Sequence, residues 1–164
     1  MGIKYESKDK GFDEMNVHVE TLNGRSVEVG AIGGEHAWLA GIHEYGCNIP
    51  VTEKMRGYLA SKGLYLKKST KTIHIPERAF LRTGYDTNKD EVFQKADALV
   101  PEVVEGDMDA QQFLDAIGLE LSSKIKDYTR ETKADSQFTI DQKGSSTPLS
   151  DTGALVNGIT WRVD

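Results

Sequence analysis

The chain has 164 residues, of which 38% are apolar and 28% charged, with a formal net charge of −6; that length suits one domain able to bury about 68–70% of its unfolded surface without a metal or a disulfide. A mean hydropathy of −0.48, with no run of about 18 apolar residues, excludes a membrane-spanning helix, and the acidic balance argues against a general nucleic-acid binder. The lone Cys47 excludes an internal disulfide and points to a reducing compartment, and the opening MGIKYESKDKGFDEM lacks the apolar core of a secretory signal.

In chain order, residues 1–14 are polar and read as an arm. Met15-Asn-Val-His-Val-Glu and Ser26-Val-Glu-Val-Gly-Ala-Ile alternate apolar and polar residues around Asn23-Gly24, which predicts two strands joined by a tight turn. Trp38, Leu39, Ile42 and Tyr45 fall at helical spacing, and Gly46 supplies a stop, so a short helix is expected over Glu35–Tyr45. Residues 47–51 read as a loop. Thr52 is a candidate N-cap for a second short helix with Met55, Tyr58 and Leu59 on its apolar side. Leu64–Lys68 and Lys71–Ile75 flank Ser69-Thr70 and predict a hairpin rich in lysine, with Lys62, Lys67, Lys68 and Lys71 in or beside it. From Glu77 a helical pattern runs to Leu99, where Pro101 is expected to break or kink it. Asp109 and Gln112 form a capping box, and Phe113, Leu114, Ile117, Leu121, Ile125 and Tyr128 make the clearest helical stripe in the chain. Residues 131–147 read as an exposed loop. A helical turn at Ala154–Asn157 then leads into a closing strand, Ile159–Val163.

Strands near both ends of the chain must share a sheet, and two long helices must cover it. The expected fold is a single α+β domain over 1–164: a mostly antiparallel sheet, covered on one face by two long helices, with a short helix-plus-hairpin insertion at 52–75.

Enzyme motifs are thin. His43-Glu44 followed by Cys47 has the opening of a zincin helix, but a glycine intervenes and a third ligand is missing. Asp151-Thr152-Gly153 matches the aspartic peptidase triplet, but only 11 residues follow it. No serine sits in a nucleophile elbow and no P-loop occurs. A small metal-dependent or aspartic peptidase is therefore only an alternative. A second alternative is a nucleic-acid accessory protein using the lysines, against the plainer reading of an edge hairpin guarded from aggregation.

Three segments together are more specific: Ile42-His43-Glu44-Tyr45-Gly46; Ile75-Pro76-Glu77-Arg78-Ala79-Phe80-Leu81-Arg82; and Pro148-Leu149-Ser150-Asp151-Thr152-Gly153-Ala154-Leu155 with Gly158-Ile159-Thr160-Trp161-Arg162-Val163. In this order they resemble the neck and tail-completion (head–tail joining, virion morphogenesis) proteins of tailed bacteriophages, whose pattern reads hExG, IPxRxFlr and PLxDTGxLxxsixyxv. The resemblance spans about residues 15–163. Thr52–Thr72 stands as an insertion, and Glu77 replaces a commonly small residue.

The resemblance implies a structural virion protein of the neck, with no reaction and no cofactor. Such proteins join tail to DNA-filled head as rings, usually six-fold, and are assembled in the host cytoplasm. A tail terminator role is the alternative within the family. The implied partners are copies of itself, neighbouring connector or stopper proteins and the tail tube or terminator, with DNA only passing through the channel and no membrane.

Charge fits a ring subunit. Residues 1–82 carry net +2 and residues 83–164 net −8, so two unlike patches could pack head to tail. The acidic stretch Asp86–Asp115 could line a channel. Candidate interface residues are Arg78, Phe80, Leu81, Arg82, Asp151, Thr152, Lys67, Lys68 and Lys71. Phe80 and Leu81 are expected to anchor the long helix, and Arg78 and Arg82, four apart on one helix face, to pair with acids of a neighbour or of this chain.

Overall fold

The computed structural model describes residues 10–131 and 154–164. The Asp151-Thr152 segment, the 131–147 loop beyond Glu131 and most of the expected arm lie outside the described residues. The elements in order are α1 (Lys10–Glu20), β1 (Val27–Ala31), α2 (Gly34–Tyr45), β2 (Cys47–Pro50), α3 (Glu53–Ser61), β3 (Thr72–Ile75), α4 (Phe80–Glu105), α5 (Ala110–Glu131), α6 (Ala154–Asn157) and β4 (Ile159–Val163).

β1 and β4 pair antiparallel, with Val27 opposite Val163, Val29 opposite Trp161 and Ala31 opposite Ile159. The long antiparallel helices α4 and α5 pack against each other and on this small sheet. The α+β class and the meeting of the chain's two end regions thus hold, but the sheet is smaller than expected. Among the described residues there are two separate two-stranded sheets, β1–β4 and β2–β3.

Fully buried Phe80 and Ile159 sit at the centre of the core, with Ala40, Ile125 and Leu155, and Val29, Ala31, Leu81 and Leu121 close over them. Phe80 and Leu81 therefore anchor α4 as expected. The most deeply buried line on α5 runs through Gly118, Ser122 and Thr129 with Ile125 of the expected stripe, whose other members are half-buried. A Cβ on Gly118 would lie 2.8 Å from the Cβ of Trp161, so the indole rests directly on the helix backbone. Trp161 also donates Nε1–H to Asp115 at 2.9 Å. A helix-interior glycine costs about 1 kcal/mol relative to alanine, and here it provides the seat for β4's tryptophan.

Several expected elements differ. Met15–Glu20 is helical, because α1 packs on the far end of α4, where His18 Nδ1 lies 3.4 Å from the Val104 carbonyl. A three-residue alternation of apolar side chains is also compatible with one helical face, and the tertiary contact decides. Asn23-Gly24 still turns, with Gly24 at φ 76°, but it links a helix to β1.

Pro101 does not break α4. The amide it lacks would have bonded the Asp97 carbonyl, and both residues are exposed, so water can serve that carbonyl. Val103, buried a few residues on, and the left-handed Gly106 cap hold the end of the helix in place. The Asp109–Gln112 capping box forms reciprocally, at 2.8 and 3.0 Å.

The 47–51 loop and the lysine hairpin are both revised. Cys47–Pro50 is a strand, and its partner is Thr72–Ile75, in the register Cys47 opposite Ile75 and Pro50 opposite Thr72. Residues 51–71 leave and return through this ladder as an excursion that carries α3. Residues 64–71 contain no strand. Ile49 and Ile73 face each other across the ladder, a long-range pairing that outweighs the local turn.

Candidate functional site

Two of the motif segments meet at the start of α4. Ala79, which precedes the helix, has φ 10° and no side chain able to cap it. The cap comes from α2 instead. Glu44 is 2% exposed, and its carboxylate accepts the Leu81 amide at 2.9 Å and the Arg82 amide at 3.0 Å. A carboxylate at a helix N-terminus satisfies unpaired amides and meets the positive end of the helix dipole.

Arg82 closes the arrangement. Its Nε donates to Glu44 Oε1 at 2.9 Å, and its Nη2 donates to the Glu44 carbonyl at 3.1 Å and to Glu77 Oε1 at 2.5 Å. The guanidinium also lies over the Tyr45 ring, 5.0 Å from its centroid, a cation–π distance. Hydrogen bonds to Glu44 first, then to Glu77, hold the Arg82 pKa above its ordinary value.

Gly46 lets α2 run this close. At φ 67° it occupies a conformation that favours glycine, and a Cβ there would stand 2.7 Å from the Ile75 carbonyl and 2.8 Å from the Glu77 amide. Arg78 donates its backbone amide to the His43 carbonyl at 2.8 Å. The His-Glu-Tyr-Gly and Ile-Pro-Glu-Arg-Ala-Phe-Leu-Arg segments are thus one latch between α2, the end of β3 and α4. Both oxygens of Glu44 are engaged in it.

Among the candidate interface residues, Phe80 is fully buried and works inside the subunit, not at its surface. Arg82 pairs within its own chain, although half of its side chain stays exposed. Arg78 precedes α4, so the expected shared helix face with Arg82 is not formed. Leu81 lines a groove of about 350 Å³ beside β1, with Val27, Val29, Arg82 and Tyr85.

Lys67, Lys68 and Lys71 are exposed on the excursion. The turn that carries them is wrapped around Arg56, whose guanidinium donates to the carbonyls of Leu66 at 3.2 Å, Lys67 at 3.0 Å and Thr70 at 2.9 Å. The Thr52 cap forms as expected, accepting the Met55 amide at 3.2 Å.

Periodicity misplaces three aromatic side chains: Trp38 is 71% exposed, Tyr45 69% and Tyr58 62%. α2 instead buries Ala40 in the core beside Phe80 and Ile159, and Glu44 against the start of α4. A glutamate one helical turn after a buried alanine, followed by an arginine 38 residues on, is too faint a pattern to find without the fold. Arg56 left no sequence signal.

Elsewhere α4 and α5 are bridged by Lys95 to Glu120 at 2.6 Å and by Lys124 to Glu91. Lys95 lowers the Glu120 pKa, and Glu91 raises that of Lys124. Asp115 is lowered by the Trp161 hydrogen bond first and Gln111 second. Among the described residues no cluster of three His, Cys, Asp or Glu side chains is placed to hold a metal, and no helix is long and apolar enough to cross a membrane.

Neither family models, curated proteins nor solved structures give a match to this chain.

Proposed function

We propose that this chain is a structural protein of a tailed-phage neck, a ring subunit that joins the tail to the filled head and carries out no reaction. The observation that supports this reading is the latch. The first two segments that carry the family resemblance, at 42–46 and 75–82, pack into a single unit through Glu44, Arg82 and Gly46. Their residue types are then explained by holding one subunit rigid, as a ring component under load requires. Glu44 is committed to two amides and a guanidinium, so the peptidase alternative gains no support from its place in the sequence. Tail completion is preferred to tail termination on the resemblance alone.

The test is negative-stain electron microscopy of lysates of the phage carrying this gene, with the gene interrupted. Filled heads lying apart from tails of normal length are expected. Overlong tails would transfer the role to tail termination. Normal infectious particles would overturn the proposal.

A further inference from the structure

We infer that the basic excursion of one subunit docks on the exposed face of α4 in a second copy of this chain. The inference rests on the ring reading only in taking a second copy as the occupant.

The two surfaces are complementary. Residues 51–75 hold six Lys and Arg against one acidic residue, Glu53, for a net +5, which leaves −11 on the rest of the chain. Lys54, Lys62, Lys67, Lys68 and Lys71 are all exposed, and Tyr58 and Tyr65 stand out beside them at 62% and 80% exposure. The three Arg56 hydrogen bonds hold the 66–70 turn in shape, so little ordering is left for the moment of contact.

On α4, Asp86, Asp90, Phe93, Asp97 and Val100 recur at four- and three-residue intervals, which places them on one helical stripe. All five are exposed, including Phe93 at 55% and Val100 at 43%. Asp86 pairs with Lys89 at 3.4 Å, whereas Asp90 and Asp97 form no ion pair with a described residue. Carboxylates alternating with apolar side chains match lysines alternating with tyrosines, in charge and in kind.

The two surfaces do not meet within one chain, since none of these lysines pairs with a described carboxylate and the stripe stays exposed. A contact between two different patches repeats around a closed ring. This assigns the Asp86–Val100 stripe to the subunit contact and not to a channel wall. Phosphates are the competing partner for exposed lysines. They would not account for the phenylalanine and valine on the acidic stripe.

The experiment uses sedimentation velocity of the full chain at about 0.05 M and about 0.5 M salt, where screening differs several-fold. Self-association that weakens with salt is expected. K67E/K68E/K71E and D90K/D97K, each verified as folded by circular dichroism, should each lower the association constant by at least about tenfold. An equimolar mixture of the two, and a chain carrying all five changes, should regain association. A wild type that stays monomeric at both salts, reversals without effect, or no recovery in the five-fold variant would overturn the inference. So would binding of duplex DNA in place of self-association. Normal phage particles on gene interruption, with the charge-swap recovery intact, would refute the neck role and leave the subunit contact standing.

Discussion

Glu44→Ala tests the latch. The substitution removes the acceptor of two backbone amides at the start of α4, at 2.9 and 3.0 Å, from a site that is 2% exposed. Each buried donor left without a partner costs about 1–3 kcal/mol, and loss of a helix cap alone costs about 0.5–2 kcal/mol. Two amides lose their acceptor, and Arg82, half in solvent, adds little, so a loss of about 2–4 kcal/mol is expected. It is a large part of the total of about 5–15 kcal/mol that holds a domain together. Glu44→Gln keeps one acceptor oxygen in place and should lose about half as much. Arg82→Ala should lose less than Glu44→Ala, because the guanidinium lies half in solvent and Glu44 keeps both amides. The assay is urea unfolding followed by helical circular dichroism. The midpoint should fall while the slope, about 1–3 kcal/mol per molar urea, stays fixed. A Glu44→Ala loss below about 1 kcal/mol would refute the reasoning, since the amides would then have another acceptor.

Gly118→Ala should destabilise by about 1–3 kcal/mol through overpacking, despite alanine's helical preference, because its Cβ would meet the Trp161 side chain; a shifted tryptophan emission should accompany the lower Tm, and a raised Tm would contradict this. Asp115, held below its ordinary pKa chiefly by Trp161, contributes stability that is complete above about pH 4 and lost as the pH falls through its lowered folded value. Asp115→Asn should accordingly flatten the acid limb of a Tm-against-pH profile, and an unchanged limb would contradict that assignment. Arg56→Ala should free the turn at residues 66–70, made visible as faster tryptic cleavage after Lys67 and Lys68 with little change in global Tm. Equal cleavage rates would show that the three carbonyl contacts are not what holds it.

The parts of this protein that its sequence determined by itself are those governed by neighbours in the chain. The Asp109–Gln112 box, the Thr52 cap, the stop at Gly46 and the alternation of β1 and β4 act within a few residues and formed where expected. Phe80 and Leu81 were legible as anchors because a bulky apolar pair after a proline-led turn has few places to go but the core. The lysines of the candidate surface were legible as charge, and their exposure follows from the cost of burying it.

What only the tertiary structure decided are the choices between two locally equal options. Met15–Glu20 is helical because α4 offers it a surface. Thr72–Ile75 pairs with Cys47–Pro50 and not with Leu64–Lys68, because the ladder closes the whole excursion at its base. Glu44 and Arg82 are 38 residues apart, and nothing local marks either as the other's partner. The same distance in sequence hid the exposure of Trp38 and Tyr45. Spacing shows that side chains share a helix face, but whether that face meets the core or water depends on what the rest of the chain brings to it.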